Sequence, residues 1–98
     1  MKISEIEYAA NKSYDTMGKN LRSSRLCQAK RAREAVIFIL YMLGYGMYDI
    51  CRIYNIPNKS VLSTIVKRVN RRIIGNTCDS DTINFLKEIK ELVNGNKI

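Results

Sequence analysis

Met47–Arg72 reads MYDICRIYNIPNKSVLSTIVKRVNRR, and the fold turns on how this stretch is read. Ile50, Ile53 and Tyr54 fall on one face of a short helix over Met47–Tyr54. Asn55-Ile56-Pro57 makes a tight connection, because a proline disfavours a helical conformation at the residue before it. Asn58 is a good N-cap. Behind it Leu62, Ile65, Val66, Val69 and Ile73 recur at helical spacing, which predicts a longer helix over 58–74. Apolar anchors from both helices, with Ile56 between them, lock the pair at a steep angle, as a helix-turn-helix over about 47–74 requires. One face of the longer helix is then free to enter a major groove. That face carries Lys59, Ser60, Ser63, Thr64 and Lys67, small hydrogen-bonding side chains with cations, as base-edge and phosphate contacts need. Arg68, Arg71 and Arg72 continue it as a basic end, although Arg71 and Arg72 also suit a helix C-terminus through the macrodipole.

Three more helical segments surround this pair. Ser4-Glu5-Ile6-Glu7 reads as a capping box, with Ile3 and Tyr8 placed as a hydrophobic staple. It predicts a first helix from about Glu5 to Tyr14 that buries Ile6, Ala9 or Ala10, and Tyr14. Ser23 or Ser24 can cap a second helix whose stripe is Ala29, Ala32, Val36, Ile39, Leu40 and Leu43. Ile37, Phe38, Tyr41 and Met42 make its second half apolar nearly all round, which marks the central helix of a small bundle. Gly44 and Gly46 end it. Asp79 or Ser80 caps a last helix carrying Ile83, Leu86, Ile89 and Val93, which packs on the second helix or forms a dimer surface. No strand alternation competes, so the expected class is all-α, a five-helix bundle in one domain spanning 1–98. Tyr41, Tyr45, Tyr48 and Tyr54 read as core and rim aromatics.

Composition narrows the function. The chain has 98 residues and a formal charge of +8. Between Lys19 and Arg72 stand twelve Lys and Arg against Glu34 and Asp49, a net of +10, while the remainder nets −2. A solvated face scatters both signs, so this single-signed middle points to a polyanionic partner. There is no His, the commonest general base and zinc ligand. Cys27, Cys51 and Cys78 are odd in number and form no C-x-x-C pair, so they read as reduced thiols used as small hydrophobes. No metal site, cofactor or enzymatic activity is expected. The longest apolar run, Ala35–Tyr48, is shorter than the ~20 residues of a membrane span, and the N-terminus does not read as a secretory signal.

Leu21-Arg22-Ser23-Ser24-Arg25 followed by Arg31-Ala32-Arg33 resembles the "L-x-S-x-S/R-R … R-A/P-R" stretch of the C-terminal DNA-binding domain of the bacterial replication initiator DnaA. Asp49–Tyr54 is similar to its "E-I-G-R-A-F". Asn58-Lys59-Ser60-Val61-Leu62 falls where that family has "D-H-T-T-V", Lys67-Arg68-Val69 where it has "R-K-I", and Asp81–Leu92 at its closing helix. The turn departs from the family, with Asn55-Ile56 for its glycines and Pro57 for its arginine. No phosphate-binding G-x-x-x-x-G-K-[ST] is present, so the initiator's ATPase is not expected.

The resemblance implies a Trp-repressor-like helix-turn-helix. It places Arg25, with Arg22 nearby, in a basic loop over 19–25 that clamps an adjacent groove or the backbone. It places Lys59 and Ser60 as major-groove readers, Asn58 as helix cap and base contact, and Lys67 and Arg68 against phosphate or solvent. The expected partner is double-stranded DNA, bound by a monomer or a homodimer, in the cytoplasm at the nucleoid, for replication or gene regulation. The alternatives are a dimeric transcriptional regulator of generic helix-turn-helix type and a basic helical protein–protein adaptor.

Overall fold

A computed structural model describes residues 2–17, 21–22, 27–75 and 80–95. Five helices and no strands occur among these residues: α1 (Ile3–Ser13), α2 (Cys27–Met42), α3 (Met47–Ile53), α4 (Lys59–Ile74) and α5 (Ser80–Gly95). The chain is all-α. The expected caps Ser23, Ser24 and Asp79 lie outside the described residues, as do Arg25 and Cys78.

α2 is the hub. Seven consecutive residues, Glu34–Leu40, are buried in it, and α1, α3 and α4 all pack against it. This is the all-round apolar pattern meeting neighbours on every side. Its last turn behaves differently. Tyr41, Met42 and Leu43 are exposed, not core, because they run past the helices that cover the middle of α2.

Three helices stop in the same way. At the end of α2 the Gly44 N–H donates to the Tyr41 carbonyl and the Tyr45 N–H to the Leu40 carbonyl, with Gly44 at φ +91°. This is a Schellman ending, which needs a left-handed residue just beyond the helix. In α1 that residue is Asp15 (φ 56°), with the Thr16 N–H on the Asn11 carbonyl. In α3 it is Asn55 (φ 54°), with the Ile56 N–H on the Cys51 carbonyl at 2.8 Å. Asparagine tolerates this region better than other branched or bulky residues. Asn55→Gly is therefore expected to leave stability nearly unchanged, whereas Asn55→Val costs about 1–2 kcal/mol in denaturant melts.

The turn sets α4 in place. Asn58 caps it, its side-chain oxygen accepting the Val61 N–H at 3.0 Å. Ile50 and Leu62 are fully buried, and Ile53, Ile56 and Ile65 pack around them. α4 thus presents its Leu62–Val66–Val69 side to α2 and α3.

The two ends of the chain differ from the sequence reading. α1 begins at Ile3, so Ser4 lies inside the helix and the N-cap is Lys2, which makes no side-chain cap bond. Glu7, the other half of the expected box, is engaged elsewhere: it accepts from Arg22 and from the Tyr54 hydroxyl. Tyr8 is 59% exposed and staples nothing. α5 packs mainly against α1, and meets α2, most of whose surface α1, α3 and α4 occupy, at its first turn. Its buried side chains are Phe85 and Ile89, whereas Ile83 is 40% exposed. The Phe85 ring meets Tyr14 edge-on, centroids 6.2 Å apart, and the Tyr14 hydroxyl bonds Thr82. Lys12 pairs with Glu88 at 3.0 Å, and Gln28 of α2 donates to Asp81 at 2.7 Å.

Candidate nucleic-acid interface

With Leu62, Val66 and Val69 inward, 3.6 residues per turn places Ser60, Thr64, Lys67 and Arg71 diametrically opposite. All four are exposed, and they form one ridge along α4. Ser63 is half-buried and stands at the side of this ridge, not on it. The Thr64 hydroxyl donates to the Ser60 carbonyl at 3.0 Å. Its proton is thereby used, so in this rotamer Thr64 is left as an acceptor.

Lys59, the first residue of α4, leans to one flank. Its ammonium lies 4.0 Å from the centroid of the Tyr48 ring. Tyr48 is 73% exposed and stands at the opening of α3, on the surface and not in the core. Asp49 beside it pairs with Arg52 at 2.7 Å.

The other flank of α4 faces α2 across a groove. Arg22, Lys30, Arg31, Arg33, Arg68 and Arg72 line it, and Glu34 is the acid among them. Two cavities of about 470 and 580 Å³ make up the groove, and both are lined by Lys30, Glu34 and Arg68. Arg68 bridges to Glu34 at 2.8 Å. Glu34 is only 8% exposed, so this contact ties α4 to the hub as well as partly neutralising the groove. Arg68→Ala is expected to lower stability by about 1–3 kcal/mol, because it leaves a nearly buried carboxylate without that partner. Glu34→Gln, which keeps an acceptor for Arg68, is expected to cost less by the same denaturant melts.

Arg22 is likewise held within the protein. Its guanidinium makes two bonds to Glu7, both at 3.2 Å, and lies 6.0 Å from the Tyr54 centroid. The hydrogen bond to Glu7 raises its already high pKa. Burial, and then the hydrogen bond to Glu7, push the Tyr54 phenol well above its usual range. Glu7, Arg22 and Tyr54 thus form a knot between α1, the segment before α2 and the end of α3. Arg33 donates to the Leu21 carbonyl at 2.8 Å and Arg31 to Gln28 at 3.3 Å, so these two cations hold local structure.

The sequence-expected residues therefore separate. Ser60, Thr64, Lys67 and Arg71 share the ridge, Lys59 and Ser63 lie beside it, and Asn58 caps it. Arg22 and Arg68 are tied to carboxylates. Lys30, in the groove, was not among the expected contacts, and Arg72, expected only as part of the basic end of α4, stands there with it. They are far apart in sequence, and only the packing of α4 on α2 joins them. The single-signed charge of Lys19–Arg72 was the signal that such a surface existed.

Among the described residues no group of three or more metal-ligating side chains occurs, and no helix is long and apolar enough to cross a membrane. Cys27 and Cys51 are free thiols. No known protein family, curated protein or solved structure matches the chain.

Proposed function

We propose that this protein binds double-stranded DNA, with α4 in the major groove, in the manner of the DnaA C-terminal domain that its sequence resembles. The observation that carries the reading is the exposed ridge Ser60–Thr64–Lys67–Arg71 on a capped helix that follows a tight turn. An α-helix is about 10–12 Å across and the major groove about 12 Å wide, so one such helix fills it. Ser60 and Thr64 offer hydroxyls to base edges, and Lys67 and Arg71 meet phosphate or guanine. The cationic groove on the α2 flank lies where a strand's phosphates would pass, which gives Lys30 and Arg72 a role in affinity without readout. The protein acts in replication or gene regulation and performs no catalysis.

Selection from a random duplex library at two salt concentrations tests this reading. Enrichment of one short motif is the expected result. A short asymmetric motif fits a single copy per site. No enrichment, with no retention on duplex at physiological salt, leaves a basic adaptor for an acidic protein instead. A second reading, a dimeric regulator, draws on the exposed Tyr41, Met42 and Leu43 at the end of α2, an apolar surface that a second copy could cover. It predicts an inverted repeat and concentration-dependent dimerisation.

A further inference from the structure

Tyr48 is an exposed aromatic that the helix pattern does not need. It contributes nothing to the buried core, yet Lys59 lies directly on its ring face at 4.0 Å. A free lysine on a helix samples many rotamers, and ordering it at a binding surface costs entropy. An aromatic face under the ammonium lowers that cost, because the ring quadrupole attracts the cation within about 6 Å of the centroid. Both partners are themselves held. Tyr48 rides on α3, whose Ile50 is fully buried. Lys59 follows Asn58, whose side chain caps α4. The contact therefore joins two elements whose relative position the buried Ile50 and Leu62 already set.

We propose that Tyr48 is a positioning residue for sequence readout, its ring holding the Lys59 ammonium at the edge of the α4 ridge so that it meets the duplex in one orientation. The inference rests on the DNA-binding reading of α4 and adds to it a residue from α3. Tyr48 acts through Lys59, so its effect falls on discrimination between sequences more than on affinity for duplex in general. The ring carries the effect and the hydroxyl does not, since the attraction comes from the π face.

The test uses the full chain and two duplexes, the one enriched by selection and a scrambled one. The ratio of the two dissociation constants is measured for wild type, Tyr48→Phe, Tyr48→Leu, Lys59→Ala and the Tyr48→Leu/Lys59→Ala double variant. Tyr48→Phe is expected to keep the wild-type ratio. Tyr48→Leu is expected to lower it about two- to fivefold, the size of an exposed cation–π contact. In the Lys59→Ala background Tyr48→Leu is expected to change nothing further. Tyr48 and Lys59 are both exposed, so all variants are expected to fold, which thermal melts check.

Three results overturn the proposal. One is a ratio unchanged in Tyr48→Leu but lowered in Lys59→Ala. Another is an equal loss on both duplexes, which makes the ring a general contact. The third is equal effects of Tyr48→Leu with and without Lys59. If wild type binds no duplex at all, the reading of α4 fails and this proposal with it; if wild type discriminates and any of the three results holds, this proposal fails alone. An upfield ring-current shift of the Lys59 ε-methylene protons in the free protein, kept in Tyr48→Phe and lost in Tyr48→Leu, is expected whether or not DNA binds, and its absence from wild type overturns the Tyr48–Lys59 contact itself.

Discussion

Phe85→Ala is expected to lower unfolding free energy by about 3–5 kcal/mol, the usual cost of deleting a buried aromatic ring. A chain of this size has only about 5–15 kcal/mol to lose, so the variant is expected to melt near or below physiological temperature. Phe85 is fully buried and its ring is the edge-on partner of Tyr14. Around it α5 is held to α1 by Lys12–Glu88 and by Tyr14–Thr82. Lys12–Glu88 is surface-exposed and contributes little. Most of the docking free energy of α5 therefore comes from Phe85 and Ile89. Ile83→Ala, on the exposed side of the same helix, is the control and is expected to cost far less. Equal losses from the two substitutions, in urea or thermal melts, contradict this placement of α5.

The second large effect concerns binding. Lys67→Ala combined with Arg71→Ala removes both cations from the α4 ridge without touching Leu62, Val66 or Val69. If both meet phosphate, the slope of log K against log salt is expected to flatten by about 1.8, at about 0.9 for each phosphate no longer neutralised. Affinity for all duplexes is expected to fall together. If Arg71 instead reads a guanine, its single replacement costs about 1–3 kcal/mol on the preferred site and relaxes choice at one position. Lys59→Ala is expected to show the second pattern, and melts of both variants are expected to match wild type.

What could be read without the structure was what is local. The Asn58 cap, the Leu62–Val66–Val69 stripe and the stop at Gly44 each depend on residues within a turn or two, and all three stand as read. Of the α5 stripe, Leu86, Ile89 and Val93 face the core as expected, whereas Ile83 is exposed and Phe85, outside that stripe, is the most deeply buried residue of the helix. Helical period alone does not fix how wide the buried side is or where it is centred; docking on α1 turns it toward Phe85. Glu7 shows the same limit more sharply. Its spacing from Ser4 is that of a capping box, but a partly buried carboxylate takes the stronger charged partner, and Arg22 and Tyr54 come from 15 and 47 residues away. The left-handed role of Asp15 and the contact of Tyr48 with Lys59 also needed the fold. In the candidate interface, the residues spaced along one helix were legible, and the groove shared between α2 and α4 was not.

Duplex binding by α4 and its basic surroundings is tested by the equilibrium binding constant for a short duplex across a range of salt. The expected result is a straight line of log K against log salt, steep enough to count several phosphates at about 0.9 each, with Lys67→Ala/Arg71→Ala visibly shallower. A flat line, or no binding at physiological salt, contradicts it.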